Sequence, residues 1–122
     1  MERIATFTIP GRPRGKERPR MGKGGRFYTP RRTREYEAYV AWCARAAYRK
    51  DPTTLHVRLN LIIRSSKSKA DTSNILKAVE DGMNGVVYVD DRQIKEIHIS
   101  RVAGDGEGVD VTVFLLRNGD DG

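Results

Sequence analysis

The sequence predicts a small α/β (α+β) domain in which two helices pack on a mixed four-stranded sheet, in the order β-α-β-α-β-β. Three observations support this fold class. The chain has 122 residues, which is enough for about one domain. Four segments alternate apolar and polar side chains, as half-buried strands do, and two segments repeat apolar residues at helical spacing. Residues 1–117 are therefore predicted as one domain and residues 118–122 as a disordered tail.

The first half of the chain predicts a strand and a helix. The strand places Ala5, Phe7 and Ile9 on one face and ends at Pro10. Thr33 is a suitable N-cap for the helix that follows. Trp42 lies off the apolar stripe of this helix, and contact with a second copy of the chain is one role open to it. The stripe and the proline that closes the segment are Tyr36, Tyr39, Val40, Cys43, Ala47 and Pro52.

The second half predicts three strands and a second helix. Alternation from Leu55 to Ile63 is the clearest strand pattern in the sequence. The second helix is expected at residues 73–84, with Gly85 as its stop. Two later strands flank the glycine-rich segment at residues 104–108 and are predicted to form a hairpin. One face of the second helix is apolar, which fixes the direction of its other face.

The polar row on the second helix is the first candidate for chemistry. Asn74, Lys77 and Asp81 share one side, Asp71 precedes them by one turn, and Asp90-Asp91 follows in an acidic turn. Two carboxylates near a lysine and an amide can ligate a hard cation and stabilise the negative charge that develops on a phosphate during hydrolysis. A structural interpretation is also open, in which Asp71 caps the helix, Lys77 pairs with Asp81 and the two aspartates form a polar turn.

Positive charge is concentrated near the beginning of the chain. The formal net charge is +7, but the stretch from Arg12 to Arg34 has ten basic residues and one acid, so it carries +9 and the rest carries −2. Such a local field favours a polyanion, most commonly nucleic acid. Residues 12–32 are also rich in glycine and proline, which predicts a flexible loop. We expect this basic loop to bind DNA, whereas a solvated linker is the alternative. Two roles are open to Phe27 and Tyr28: they could stack on bases, or they could anchor the end of the loop to the domain.

The basic side chains expected to contact DNA lie in this loop and just before the second helix. They are Arg12, Arg14, Lys16, Arg18, Arg20, Lys23, Arg26, Lys67 and Lys69.

The composition narrows the class of protein further. Cys43 is the only cysteine, so no intrachain disulfide can form, and its place in a helical stripe indicates a small buried hydrophobe. His56 is expected at the surface, because no second His or Cys stands at ligand spacing, and His98 is expected to be a structural or a surface residue. No apolar run approaches the roughly 20 residues of a membrane span. The first residues lead directly into an alternating strand pattern, so no signal peptide is expected. We expect a cytoplasmic protein with no membrane partner and no small-molecule cofactor.

Several motifs in order along the chain resemble those of the RusA family of Holliday junction resolvases. They comprise residues 10–13 and 28–37, the run from Asp71 to Lys77, residues 80–85, and Asp90-Asp91-Arg92-Gln93-Ile94. The resemblance implies a homodimeric endonuclease, bacterial or phage-encoded, that resolves four-way junction DNA in recombination and repair. It also implies Mg²⁺ as the cofactor, with Mn²⁺ as a substitute.

Site residues follow from the resemblance by position, together with the polar row. Those interpreted as catalytic are Asp71, Lys77 and Asp91, those interpreted as metal ligands are Asp71, Asp90 and Asp91, and those interpreted as supporting are Ser73, Asn74 and Asp81.

Ser73 departs from the family motif, which has an aspartate at this position. A neutral hydroxyl cannot contribute charge to a cation site. Asp90 or Asp81 could replace the missing carboxylate, or water could mediate a weaker metal site. The alternative function is a catalytically weak or inactive protein that binds DNA junctions, and a ribonuclease of similar chemistry is a third interpretation.

Overall fold

A four-stranded sheet carries two helices on one face in the computed structural model, which describes residues 1–104 and 106–116. The predicted fold class and its six main elements are confirmed, and residues 118–122, predicted as a tail, lie outside the described residues. A two-stranded hairpin inside the basic loop was not predicted. The elements are β1 (Glu2–Pro10), β2 (Arg20–Met21), β3 (Phe27–Tyr28), α1 (Arg31–Ala47), β4 (Val57–Arg64), α2 (Thr72–Met83), β5 (Ile94–Val102) and β6 (Gly108–Leu115), with 3-10 turns at Lys23–Gly25 and Asp91–Gln93.

The strand order of the main sheet is β1-β6-β4-β5. β6 pairs antiparallel with both β1 and β4, and β5 pairs parallel with β4. The predicted hairpin of β5 and β6 is therefore wrong, because β4 lies between them. β4 and β6, each with four buried residues, take the central positions, while β5, which has no fully buried residue, forms an edge. α2 supplies the crossover that the parallel pair β4-β5 requires.

The core lies between the sheet and the two helices. Alternate residues of β4 and β6 are buried, as the strand patterns predicted, and they meet the apolar sides of α1 and α2. The helices pack closely at Gly82, where an added Cβ would lie 2.6 Å from Val40 Cβ and 2.9 Å from the carbonyl oxygen of Glu37. Only glycine permits this approach, which fixes α2 against α1. Cys43 is buried and His56 is exposed, as predicted, and His98 is exposed as well.

α1 differs from the prediction at its start. Pro30, not Thr33, is the N-cap residue, and its fixed φ suits the start of a helix. Thr33 is buried, and its Oγ1 accepts a hydrogen bond from the backbone N–H of Glu17 at 3.1 Å, so it ties the basic loop to α1. The helix ends at Ala47. This residue was predicted to be part of the buried stripe but is exposed, and Ala44 is buried instead.

α2 agrees with the prediction to within one residue, and Gly85 follows it at φ +76°. In the described part of the chain, no helix has both the length and the apolar character needed to cross a membrane.

Candidate active site

Asp71 immediately precedes α2, but its side chain does not cap the helix. The Asp71 backbone is extended, and only its carbonyl oxygen accepts hydrogen bonds, from the N–H groups of Asn74 at 3.1 Å and Ile75 at 3.0 Å. The residue is exposed, and among residues 1–104 and 106–116 its carboxylate has no hydrogen-bond or ion-pair partner. Capping therefore does not account for this carboxylate, which is available to a ligand.

Arg101 on β5 holds the segment that carries Asp71. Its Nη1 donates to the carbonyl oxygen of Ala70 at 2.6 Å and to Thr72 Oγ1 at 3.2 Å, and its Nη2 donates to the carbonyl oxygen of Ser68 at 2.9 Å. These acceptors lie on both sides of Asp71 in sequence. The planar guanidinium thus fixes the backbone before and after the exposed carboxylate.

Lys77 connects α2 to the acidic turn. Its Nζ donates to Asp91 Oδ2 at 3.0 Å and lies 3.4 Å from Asp81 Oδ1, one helical turn away. The hydrogen bond to Asp91, opposed by partial burial and helped by Asp81, raises the pKa of Lys77. The side chain is half exposed and stays cationic at neutral pH. The pair with Asp81 that the structural interpretation required is present, but Lys77 reaches Asp91 as well.

Asp90 organises the acidic turn. Its Oδ1 accepts hydrogen bonds from the backbone N–H of Arg92 at 2.9 Å and from Arg92 Nε at 3.3 Å. The backbone hydrogen bond from Arg92 is the main reason that the pKa of Asp90 is lowered. Gln93 accepts from the Asp90 N–H and donates to the carbonyl oxygens of Thr53 at 2.8 Å and Leu55 at 2.9 Å. The turn is therefore anchored to the segment before β4, and this places Asp91 beside Lys77.

A cleft of about 1020 Å³ connects Asp71 with the basic loop. Ser73 and Asn74 also line it, and Ser73 is exposed there without adding charge. Lys23 and Arg26 lie outside the cleft, in or beside the small hairpin. The basic residues that line it are seven of the predicted DNA contacts and one that was not predicted: Arg12, Arg14, Lys16, Arg18, Arg20, Lys67, Lys69 and Arg32.

Lys16 differs from the other basic residues of the cleft because its ammonium contacts two carboxylates. It contacts Glu37 Oε2 at 3.2 Å and is hydrogen-bonded to Asp81. Its backbone N–H donates to the carbonyl oxygen of Asn74 at 2.9 Å, and an added Cβ at Gly15 would lie 3.0 Å from Asn74 Cβ. The basic loop therefore packs directly on the first turn of α2.

The family model for endodeoxyribonuclease RusA matches residues 10–114. The chain belongs to the RusA family. A relative, the crossover junction endodeoxyribonuclease RusA of Aquifex aeolicus (strain VF5), is 28% identical over 94 residues, which cover 75% of each chain. The family match spans the basic loop, α2 and the acidic turn, and it confirms the resemblance.

In this RusA-family protein, the predicted site residues form two groups. Lys77, Asp81 and Asp91 are in contact, whereas Asp71 lies at the beginning of α2 with no bond to that group among the described residues. Within the same residues, no set of three or more His, Cys, Asp or Glu side chains is placed to hold a metal ion. Mg²⁺ commonly takes only one or two carboxylates and completes its shell with water and substrate phosphates. The unpartnered carboxylate of Asp71 suits that kind of site.

Glu80 is a carboxyl beside the Lys77 group that sequence reasoning missed. Burial is the main reason that its pKa is raised, the charges of Asp91 and Asp81 act in the same direction, and Lys77 opposes them. Glu80 follows Lys77 by three residues on α2, and this spacing could have predicted that the two side chains are neighbours. Arg101 and Gln93 were also missed as contributors, because no local pattern marks contacts made 29 to 40 residues away.

Proposed function

We propose that this RusA-family protein is a metal-dependent endonuclease that cuts four-way DNA junctions in recombination and repair. The observation that carries the proposal is the carboxylate of Asp71, exposed and unpartnered among the described residues, in a cleft lined by eight basic side chains. Similarity to the crossover junction endodeoxyribonuclease of Aquifex aeolicus supports a crossover junction as the substrate.

The basic cleft would bind the DNA backbone. Arg14, Arg18 and Arg32 have no carboxylate partner among the residues that the structure describes, so their charge is available to phosphates. Each phosphate neutralised releases condensed counterions, and binding should therefore weaken steeply with salt. Asp71 lines the same cleft, so a bound strand would place a phosphate near this carboxylate.

Asp71 and Asp91 are the carboxylates proposed to hold Mg²⁺, with Asp90 next to them in the acidic turn. When bound, such an ion supplies a hydroxide nucleophile at neutral pH and neutralises phosphate charge. Lys77 is positioned by Asp91 and Asp81 and remains protonated, so its ammonium can donate to a phosphate oxygen as negative charge develops. Arg101 keeps the Asp71 segment in place during this step.

The second candidate is a junction-binding protein with weak or no catalysis. Ser73 favours it, because this exposed neutral side chain lies beside Asp71 in the cleft where the family motif has a carboxylate. Both candidates require the basic cleft, so binding alone does not separate them.

A cleavage assay separates the two candidates. Wild type, Ser73→Asp and Asp71→Asn are incubated with a labelled four-way junction in Mg²⁺ or Mn²⁺, and binding is measured in parallel. The endonuclease proposal expects metal-dependent product from wild type and a loss of about 10²- to 10³-fold in Asp71→Asn. Ser100→Asp, which adds the same charge on exposed β5, is the control for Ser73→Asp.

The remaining outcomes are also decisive. Product from Ser73→Asp alone would identify wild type as the weak or inactive junction binder. Intact junction binding with no cleavage product from wild type or from Ser73→Asp would reject the endonuclease proposal. Linear duplex and RNA substrates in the same assay test junction specificity and the ribonuclease interpretation.

A homodimer is also proposed. A small domain buries a modest fraction of its surface, and edge strand β5 exposes the apolar side chains of Ile97 and Val102. Light scattering of the purified protein should give twice the monomer mass, and a monomer at all accessible concentrations would contradict this part of the proposal.

A further inference from the structure

A second groove lies at the C-terminal ends of α1 and α2. It has a volume of about 650 Å³, and Trp42, Arg45, Arg49, Lys50, Gly85 and Val86 are among its lining residues. None of its lining residues lines the cleft that contains Asp71. Arg32 of the cleft and Trp42 of the groove are ten positions apart on α1, about 15 Å along the helix. The two surfaces are therefore separate.

Trp42 is the most exposed large hydrophobic side chain of the described residues, at 70%. Its neighbour in the groove, Tyr48, is instead buried and donates its hydroxyl hydrogen to the carbonyl oxygen of Asp51 at 2.9 Å. The indole of Trp42 thus takes no part in the core, although α1 buries five other residues. It is a large, rigid aromatic surface open to solvent.

The charge around Trp42 is positive. Arg45, Arg49 and Lys50 line the groove with one acid, Asp51, and in the described ranges none of the three cations has an ion-pair partner. Interaction with the helix dipole accounts for a cation near the end of α1 and is worth about 0.3 to 1 kcal/mol. Only Arg45 lies in the last turn, however, and a dipole effect does not require an exposed indole.

We propose that this groove binds a single strand of nucleic acid, with backbone phosphates at Arg45, Arg49 and Lys50 and one base stacked on Trp42. Cationic side chains beside an exposed aromatic ring are the combination that single strands require. A closed duplex hides its base faces, so the ligand is an unpaired strand rather than a continuous double helix. This site needs neither a metal ion nor Asp71, and it extends beyond the proposed cleavage.

The same charges disfavour a second copy of the chain as the occupant. A two-fold interface centred on Trp42 would place the basic residues of one copy against those of the other, and like charges in contact across an interface cost several kcal/mol. The dimer contact considered for Trp42 is therefore not the role that this surface favours.

The site can be tested directly because Trp42 is the only tryptophan in the chain. The full-length protein is titrated with oligothymidylate, tryptophan is excited selectively, and binding is followed in parallel by anisotropy of a labelled oligonucleotide. Stacking should quench the fluorescence of Trp42 to a saturable limit. The double variant Arg45→Gln/Arg49→Gln should bind more weakly at this site, with a log-log salt slope reduced by about 1.4.

Matched controls make the result specific to the groove. Arg3→Gln/Lys95→Gln removes the same charge at exposed positions on β1 and β5 and should leave quenching unchanged. A blunt duplex and polyglutamate of equal charge should quench much less. Urea unfolding of each variant checks that the fold is retained.

Three outcomes would overturn the site. Oligonucleotide binding by anisotropy without quenching of Trp42 would place the strand elsewhere. Equal quenching by polyglutamate would identify a groove for acidic chains. A change in Trp42 fluorescence with protein concentration alone would identify a contact between copies.

Discussion

Lys16 and Asp81 form an ion pair that joins the basic loop to α2. The Lys16 ammonium also lies 3.2 Å from Glu37, and Asp81 lies 3.4 Å from Lys77, which in turn donates to Asp91 at 3.0 Å. Burial would lower the pKa of Lys16, but the hydrogen bonds that its ammonium donates to Asp81 and Glu37 raise it overall. Alternating charges thus connect the basic loop, both helices and the acidic turn in one network.

Replacing Lys16 by Gln should destabilise the protein by about 1 to 3 kcal/mol, because Glu37 would lose its cation and Asp81 would keep only Lys77. The free energy of unfolding in urea measures this change. Lys23→Gln is the matched control, since Lys23 is an exposed lysine of the same loop with no ion-pair partner among the described residues. Its effect should stay within about 0.5 kcal/mol. Equal losses in the two variants would contradict a structural role for Lys16.

Lys16→Gln and a further variant, Arg14→Gln, separate a structural cation from a cation that is proposed to bind phosphate. Arg14 is exposed in the cleft, so Arg14→Gln should reduce the log-log salt slope of junction binding by about 0.9. Lys16→Gln should reduce it by less, because the Lys16 ammonium is already paired within the protein. The measurement is junction affinity over a series of salt concentrations. An equal reduction by both variants would show that Lys16 releases its carboxylates to bind DNA.

Arg101 should position Asp71 through geometry rather than charge. Arg101→Lys keeps the charge but loses the fork that reaches the carbonyl oxygens of Ser68 and Ala70. We expect faster amide hydrogen exchange at residues 68–72 in this variant, and as large an increase in Arg101→Gln. Junction cleavage should fall in both. Normal exchange in Arg101→Lys together with fast exchange in Arg101→Gln would assign the effect to charge instead.

The sequence carried enough information for the fold class because burial is encoded locally. Alternate residues of β4 are apolar, one side of α2 is apolar, and these patterns specify a strand and a helix whatever their partners. The pairing of β5 is not local. A glycine-rich turn favoured a hairpin, whereas the chain places β4 between β5 and β6.

The candidate site shows the same division. Lys77, Asp81 and Asp91 could be predicted because they lie within one helix and the following turn. The pair of Lys16 with Asp81 spans 65 positions, and the bond from Glu17 to Thr33 spans 16. Such contacts depend on how the basic loop packs on the helices, which no periodicity reports. Lys16 was therefore grouped with the phosphate-binding cations, and Thr33 was interpreted as a helix cap.

Gly82 should tolerate no larger side chain. Gly82→Ala places a methyl group 2.6 Å from Val40 Cβ and 2.9 Å from the backbone oxygen of Glu37, and the oxygen can move only if α1 moves. We expect a loss of about 1 to 3 kcal/mol or more in the free energy of unfolding. Gly104→Ala is the control, because an added Cβ there meets nothing within 4 Å. A neutral or stabilising Gly82→Ala would contradict the close packing of α1 on α2.

Glu80 should make stability depend on pH in a direction opposite to that of a paired carboxylate. Burial raises the folded-state pKa of Glu80 above its ordinary value of 4.5, so the folded protein binds more protons than the unfolded chain between the two values. The free energy of unfolding therefore falls as pH rises through this window.

Glu80→Gln removes the charged form, and it should gain stability relative to wild type at neutral pH but not at a pH below 4.5. Urea unfolding at both pH values checks this, with Glu2→Gln, an exposed carboxyl on β1, as the control. A Glu80→Gln variant less stable than wild type at neutral pH would show instead that the ionised carboxylate stabilises the fold, with Lys77 as its nearest candidate partner.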